Sequence, residues 1–395
     1  MGRKGIRNRV AIVGGDATRF GERWDMGVED LLIEAGYGAF NDAGLKNHDE
    51  IDETIEAIWL GNQYWFTGLS GCTAADALKL YGKPVTRVEN FCASGMDAFR
   101  NACFAVASGV NDVVLACGVE KLMDEGSSGL PGFKVMGHPL LPLPSAPAMF
   151  CFAATRSFHE HGWTKEDLGR VAVKNHKNGV AHPKAHFRKE VSLETVMDAP
   201  MIADPLGRFD CCAMSDGSAA LVVTTPELAP SFNSDYVVVK ANAVAVETAM
   251  PWYDPNFDFI KFPATRKAAK AAYAEAGVTN PAKEISCAEV HDCFTITELL
   301  NCQDLGFCEI GEAAPKVKEG FFDVDGEGPA VNPSGGLKCF GHPIGATGCR
   351  MIWESYKQVQ GKALGEQVKD VNLALAHNLG GAYSVCSVTI LGHPE

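Results

Sequence analysis

The chain alternates short apolar runs with segments whose apolar residues recur every three or four positions. "RVAIVGG" (Arg9 to Gly15) reads as a buried strand closed by glycine. "VEDLLIEAGYGAFNDAGL" carries its apolar residues at helical spacing and stops at Gly44. "AIWLGN" is strand-like, "CTAADALKLYG" helical, and "TRVENFC" a strand again. An amphipathic helix follows in "SGMDAFRNACFAVASG", with Met96, Phe99, Cys103 and Val106 forming one stripe. Ser94 is its expected N-cap and Gly109 its expected stop. The strand "DVVLACGVE" comes next. This alternation predicts a mainly parallel sheet covered by helices.

From Lys121 to about Met214 the texture changes. Gly, Pro, Met and Phe dominate "EGSSGLPGFKVMGHPLLPLPSAPAMF", and "VAVKNHKNGVAHPKAHFRKEVS" is basic. The segment carries too many large apolar residues to stay solvated as a linker, so it reads as an inserted excursion. "SDGSAALVVTT" resumes the sheet. The second half then repeats the pattern. "KEISCAEVHDCF" is strand and turn, "TITELLNCQDLG" helix, and "GHPIGATGCRMIWESYKQVQG" a helix opened by glycines. "DVNLALAHNLGGAYSVCSVTILG" is two strands joined at a glycine turn. Both halves run helix, strand, glycine turn, strand, which points to duplication of one α/β unit.

At 395 residues the chain is long enough for two or three packed units, and 46% hydrophobic with 21% charged residues is a globular composition. Apolar runs stay short of the roughly 18 residues a membrane span needs. The basic start is followed by only a short strand-like run, unlike a cleavable signal, and the terminal "GHPE" does not match a peroxisomal address; the expectation is a cytoplasmic protein. A net charge of −14 argues against general nucleic-acid binding. The 14 cysteines lie scattered in apolar segments without a CxxC pair, so most read as small buried hydrophobes, not zinc ligands. "HPKAH" spaces His182 and His186 like metal ligands, but Pro183 intervenes and no third ligand accompanies them.

One cysteine differs from the rest. Cys92 precedes its helix, beside Ala93, Ser94 and Gly95, where free backbone N–H groups and the positive end of the helix dipole converge. Such a position can lower a thiol pKa from about 8.5 into roughly the 3.5–7.5 range, and the same N–H groups can hold an oxyanion. Alone, Cys92 fits a packed thiol at a strand–helix turn equally well. Three histidine-bearing turns add to it. His342 stands in "GHPIGATG", where an imidazole can serve a neighbouring thiol as base. His291 and Cys293 stand in "EVHDCF", after a strand and before a helix, where α/β folds tend to bind ligands. His377 stands beside Gly380 and Gly381 in "AHNLGGAYS". Any one of these histidines fits a core position; the set favours a site.

The blocks "NFCASGMDA", "EVHDCFT", "NPSGGLKCFGHPIGATG" and "HNLGGA" resemble the thiolase superfamily, in that order and across nearly the whole chain. The nearest subgroup is the sterol-carrier-protein-2-type thiolases and their archaeal and bacterial relatives. Degradative thiolases carry an NEAF block where this chain has His291 in "HDCF", and a cysteine in a CxG block where it has His377. The resemblance implies an α/β thiolase fold: two βαβαβαββ halves stacked as α-β-α-β-α layers. It places the N-terminal half at 1–120 and 215–235, the C-terminal half at 236–395, and a loop domain over the coenzyme A site at 121–214. It implies at least a homodimer, with the two halves' sheets pairing across subunits.

The resemblance also implies a reaction. Cys92 is nucleophile, His342 its base, Cys293 the second thiol acting as acid and base, and His291 stabilises the thioester enolate. Backbone N–H groups at Cys92, Gly380 and Gly381 hold the oxyanion, and His377 lines that site. The reaction is thiolytic cleavage of a 3-oxoacyl-CoA, or the reverse Claisen condensation. Coenzyme A is a substrate, and no metal or bound cofactor is required. Acetoacetyl-CoA is the default substrate and benzoylsuccinyl-CoA an aromatic option. Lys174, Lys177, Lys184, Arg188 and Lys189 form the densest basic cluster and could meet the CoA phosphates; a solvated basic face is the competing reading. Relatives of this subgroup suggest a small partner bearing a zinc ribbon and an OB-fold. The alternatives are a 3-oxoacyl synthase, which usually lacks a second catalytic cysteine, and a non-catalytic acyl-CoA-binding scaffold subunit. "GGDATRFG" does not fit the dinucleotide fingerprint.

Overall fold

The computed structural model describes residues 5–64, 70–125, 145–249, 251, 254–381 and 383–395. The described residues contribute twelve strands: β1 (Ala11–Ala17), β2 (Ala57–Gly61), β3 (Val85–Val88), β4 (Val113–Glu120), β5 (Met201–Ala203), β6 (Leu206–Gly207), β7 (Gly217–Thr224), β8 (Val237–Val246), β9 (Cys287–Val290), β10 (Ala330–Val331), β11 (Leu373–Gly380) and β12 (Val385–Gly392). Ten form one sheet in the order β10-β9-β11-β12-β8-β1-β7-β4-β2-β3, and β5 and β6 form a separate hairpin. Read outward from its centre, the sheet is two copies of one pattern, β1-β7-β4-β2-β3 and β8-β12-β11-β9-β10. In each copy the outer strands run parallel and the inner pairs antiparallel. The duplication legible in the sequence is therefore a duplication of topology, as the resemblance implied.

The two copies meet within one chain, through a short antiparallel seam in which Ala11 faces Val238 and Ile12 faces Val237. That is where the half-sheets join within the chain. Helices Ser94–Ala107 and Ile344–Gln360 pack on each other, and each also touches strands of both halves. They form the middle layer. Their approach requires glycine. A Cβ on Gly95 would lie 2.4 Å from the carbonyl of Gly345, and one on Gly348 would lie 2.3 Å from the amide of Met96. These contacts bring the starts of the two helices together, one just after Cys92 and the other just after His342.

The first of these helices buries Met96, Phe99, Cys103 and Val106, the stripe read from the sequence. Its cap differs from the expectation. Ala93 occupies the N-cap and Ser94 is the first helical residue. The Ser94 hydroxyl is spent on the preceding turn, accepting from the Asn90 amide at 2.9 Å and donating to the Phe91 carbonyl. It thereby fixes Phe91 at φ 55°, a left-handed conformation unusual for a large side chain. Gly109, at φ 74°, follows the helix as a stop should.

The excursion between β4 and β7 carries helices Ala146–His161, Lys165–Gly179 and Leu193–Met197. Although it leaves from the first half, it docks on the second. Asn175 donates to Asp292 (2.8 Å) and Glu298 (2.6 Å), and Asn178 donates to the carbonyl of Asn332 at 3.0 Å. The apolar stretches "NQYWFTG" and "GLPGFKVMGHPLLPLPSAPAMF" fall largely outside the described residues. No described helix is long and apolar enough to cross a membrane.

Candidate active site

Cys92, His291 and His342 come from three separate turns and converge. One side-chain donor atom of each lies within 4.8 Å of the others. The two imidazoles meet edge to face, with ring centroids 5.1 Å apart. Cys92 is 8% exposed, His342 5% and His291 not at all. The three follow, respectively, β3, the helix Gly336–Phe340 and β9, so the loops at the strand ends and the glycine-mediated helix contact together assemble the group.

The hydrogen bonds of His342 fix its working nitrogen. The Thr347 hydroxyl donates its one proton to the carbonyl of Pro343 at 3.0 Å. The 2.7 Å bond between Thr347 and Nδ1 of His342 must then be donated by the imidazole. Nε2 carries the lone pair and, though buried, has no partner among the described residues. Burial, with the nearby Arg350 cation, pushes the imidazole down to about 3, so it is neutral and able to accept a proton.

The thiol departs from the sequence expectation. Position at a helix start predicted a depressed pKa; burial instead pushes Cys92 up to about 12, against a lowering hydrogen bond from the Gly381 backbone. Loss of solvation outweighs the helix end at this closed site. Ligand-free, the pair is thiol and neutral imidazole, not thiolate and imidazolium. Alkylation of Cys92 by iodoacetamide should therefore climb about tenfold per pH unit from pH 6 to 9, as the thiolate fraction does for a group titrating far above that range. A plateau below pH 8, followed by peptide mass spectrometry, would contradict it.

Gly380 and Gly381 lie against Cys92. A Cβ on Gly380 would stand 2.8 Å from the carbonyl of Asn90 and 3.2 Å from the amides of Cys92 and Ala93. The absent side chain lets the β11 terminus lie against the cysteine's own backbone. Gly381 takes φ 66° and directs its backbone to the sulfur. The two backbone segments together offer the donors an oxyanion requires.

Cys293 is 7% exposed, and burial pushes its thiol well up. The Thr297 hydroxyl donates to backbone carbonyls, so Cys293 is the donor in their 3.9 Å contact. Cys92 is close enough for its charge to act on Cys293, and Cys212 acts on both. His291 is held neutral by burial and by the neighbouring histidines, Arg350 and Lys338. Both its ring nitrogens are buried without a partner among the described residues.

His377 corrects the sequence reading. Its Nδ1 accepts from the amide of His291 at 3.3 Å, and its Nε2 bonds the Thr265 hydroxyl at 3.2 Å. Both nitrogens are spent, so the ring holds the backbone of His291 and offers nothing to an oxyanion. Two of the five cations named as a phosphate cluster are also committed elsewhere. Lys174 is buried on Glu298 (3.0 Å) and the carbonyl of Val331 (2.8 Å), and Lys184 pairs with Asp16 beneath Trp353 at 5.4 Å. A long side chain in an α/β interior with a carboxylate in reach ties down structure. Lys177, Arg188 and Lys189 remain exposed. His182 lies 3.0 Å from Glu354 and His186 bonds Ser215, so the two do not face a shared point.

The structure adds residues that the sequence reading passed over. Glu120, at the end of β4, is buried and accepts from the Asn62 side chain (2.9 Å) and the amides of Gln63 (3.0 Å), Tyr64 (2.9 Å) and Gly345 (2.9 Å). It ties the loop after β2 to the helix that begins beside His342. Tyr64 packs with Cys92, Leu122 and Ile344, its buried hydroxyl unpartnered among the described residues. Cys212, in "DCCAMS", donates its amide to the carbonyl of Cys293 at 2.8 Å. A signal existed for Glu120: a carboxylate terminating an otherwise apolar strand is rarely buried unless it has partners. Glu120→Gln turns one acceptor into a donor facing donors; stability should fall by about 1–3 kcal/mol in denaturant unfolding.

Comparison with known proteins agrees with the fold. The thiolase N-terminal domain family matches residues 10–227, and the thiolase C-terminal domain-like family matches 253–393. An acetyl-CoA acetyltransferase of Methanothermobacter thermautotrophicus is 38% identical over 96% of this chain and 98% of its own length. Sterol carrier protein 2 of Bos taurus is 32% identical over 99% of this chain and 74% of its own. Among solved structures, one titled an Ltp2-ChsH2(DUF35) aldolase superposes with TM-score 0.85 at 26% identity, covering 99% of each chain. A monomeric SCP2-thiolase-like protein from Mycobacterium smegmatis superposes with TM-score 0.74 at 20% identity, over 98% of this chain and 77% of its own.

Proposed function

The chain belongs to the thiolase family of acyltransferases, and from that premise we propose that it cleaves a 3-oxoacyl-CoA with free CoA, or runs the reverse condensation, through an acyl-enzyme on Cys92. The observation that carries this reading is the buried meeting of a thiol with an imidazole whose Nε2 lone pair is free. As the Cys92 sulfur attacks the 3-keto carbon, its proton passes to Nε2 of His342. Backbone donors at Cys92 and Gly381 take the oxyanion. The C–C bond breaks as that oxyanion collapses, leaving an acyl-Cys92 and a thioester enolate. His291 faces the enolate oxygen, and Cys293 gives its proton to the enolate carbon. A CoA thiol then gives its proton to the Cys293 thiolate and attacks the acyl group. His342 returns its proton to the departing Cys92 sulfur.

Coenzyme A enters as substrate, and every proton in this cycle has a donor and an acceptor among Cys92, His342, Cys293, CoA and the enolate carbon. We place the CoA entrance under the 121–214 excursion, with Lys177, Arg188 and Lys189 as the available cations. Acetoacetyl-CoA is the first substrate to test, in keeping with the archaeal relatives' name, and benzoylsuccinyl-CoA the bulkier one. The Ltp2-ChsH2 neighbour is titled as a pair of polypeptides, which supports looking for a small zinc-ribbon and OB-fold partner beside the homodimer. The grouped Cys92, His291 and His342 argue against a non-catalytic scaffold, and Cys293 against a 3-oxoacyl synthase. The test is a panel of 3-oxoacyl-CoAs assayed with free CoA, with and without co-purifying protein, with intact-mass detection of the adduct. Absence of an acyl adduct across the panel would defeat the reading.

A further inference from the structure

We infer that the Cys92–His291–His342 cluster is also a reversible binding site for one zinc ion, which occupies it in competition with the acyl group. Three borderline-to-soft donors, one sulfur and two imidazole nitrogens, face one another from three turns, each within 4.8 Å of the others. Zinc bonds of about 2.3 Å to sulfur and 2.0–2.1 Å to nitrogen put tetrahedral donors about 3.3–3.6 Å apart, so the group need close by at most about 1.2–1.5 Å. No carboxylate belongs to the trio, which disfavours calcium and magnesium.

Two further observations point to a ligand. Both ring nitrogens of His291 and Nε2 of His342 are buried with no hydrogen-bond partner among the described residues. Buried imidazole nitrogens without a protein partner are costly unless something engages them. In addition, His342 donates its other nitrogen to Thr347 at 2.7 Å. That outer bond fixes the tautomer and aims Nε2 at the cluster, which is how ligating histidines are oriented. Binding forms one sulfur–zinc bond, and the thiol proton of Cys92 leaves to solvent. Protein donors fill three positions and leave a fourth for water, an arrangement of the open kind. Because the sulfur is consumed, the ion is an inhibitor; that consequence rests on the acyl-transfer reading, whereas the binding itself does not.

The experiment uses the full chain and Co2+ as a spectroscopic stand-in for Zn2+. One Co2+ per chain should give a thiolate-to-cobalt charge-transfer band with the strong visible bands of a four-coordinate site, and Zn2+ should displace it. Prior alkylation of Cys92 with iodoacetamide should remove the band, a control that requires no refolded variant. Thr347→Val should weaken Co2+ by about 10–100-fold, the usual cost of losing an outer-shell partner. Absence of the band, or its full persistence after alkylation of Cys92, overturns the inference. Thiolysis is assayed separately in chelator: activity without the band defeats the metal site alone, and the band without activity defeats the thiolase reading alone.

Discussion

Cys92→Ala should lower CoA-dependent cleavage by at least about 10⁴-fold and abolish the acyl adduct in the intact-mass spectrum, while leaving the chain folded. The size follows from the division of labour at the site. In the proposed reaction the sulfur forms the covalent bond, and removing a nucleophile from a cooperating set forfeits nearly all the set's contribution. Folding should survive because the thiol sits at a helix mouth, in a small cluster with Tyr64, Leu122 and Ile344, apart from the stripe of Met96, Phe99, Cys103 and Val106 that packs the helix. A circular dichroism spectrum and unfolding midpoint close to the parent's, with activity gone, is the expected pair of results. Appreciable thiolysis by Cys92→Ala would mean that another group accepts the acyl chain, and Cys212 would be the first to examine.

Cys293→Ala separates the two half-reactions. Loss of the thiol removes the acid that protonates the enolate carbon and the base that deprotonates CoA. General acid–base groups contribute about 10²–10⁴-fold each, so steady-state thiolysis should fall by at least that much. Acylation of Cys92 by a simple acyl-CoA depends on His342 and should persist. The measurement is a rapid-quench comparison of acyl-Cys92 formation with overall turnover. Equal loss in both steps would show that Cys293 supports the site's shape, not its protons; unaltered turnover would remove it from the mechanism.

Much of the order of elements was legible from hydrophobic spacing, because a strand of seven or eight apolar residues and a helix with a three-to-four repeat leave different marks. Strand β8 was passed over, and the sheet is mixed, with five of its nine pairings antiparallel, where the alternation predicted a mainly parallel one. The two-copy pattern was legible in part, since each half runs helix, strand, strand, although in the first half the excursion and not a glycine turn separates β4 from β7. What local pattern could not contain was the meeting of distant segments. Gly95 and Gly345 lie 250 residues apart, and only packing reveals that each is small for the other's sake. The same limit applied to the site. Cys92 and His342 could be nominated from their glycine-rich turns and from family resemblance. Whether a histidine works or merely holds backbone depends on which nitrogens are already bonded, and His377 in "HNLGG" looks no different in sequence from His342 in "GHP". Lys174 and Lys184 were misread for a related reason: a cation's neighbours in sequence say little about the carboxylate folded against it. The thiol's titration went the other way because a helix end is a local feature and desolvation is not.

The glycine-lined crossing of the two middle helices has a consequence for biogenesis. The proposed nucleophile Cys92 and its proposed base His342 are encoded in opposite halves, so a nascent chain emerging from the ribosome displays that sulfur long before the imidazole has been synthesised. Neither half expressed alone should turn over substrate, and the protein acquires its chemistry only at the last stage of assembly, when both lobes have closed on each other.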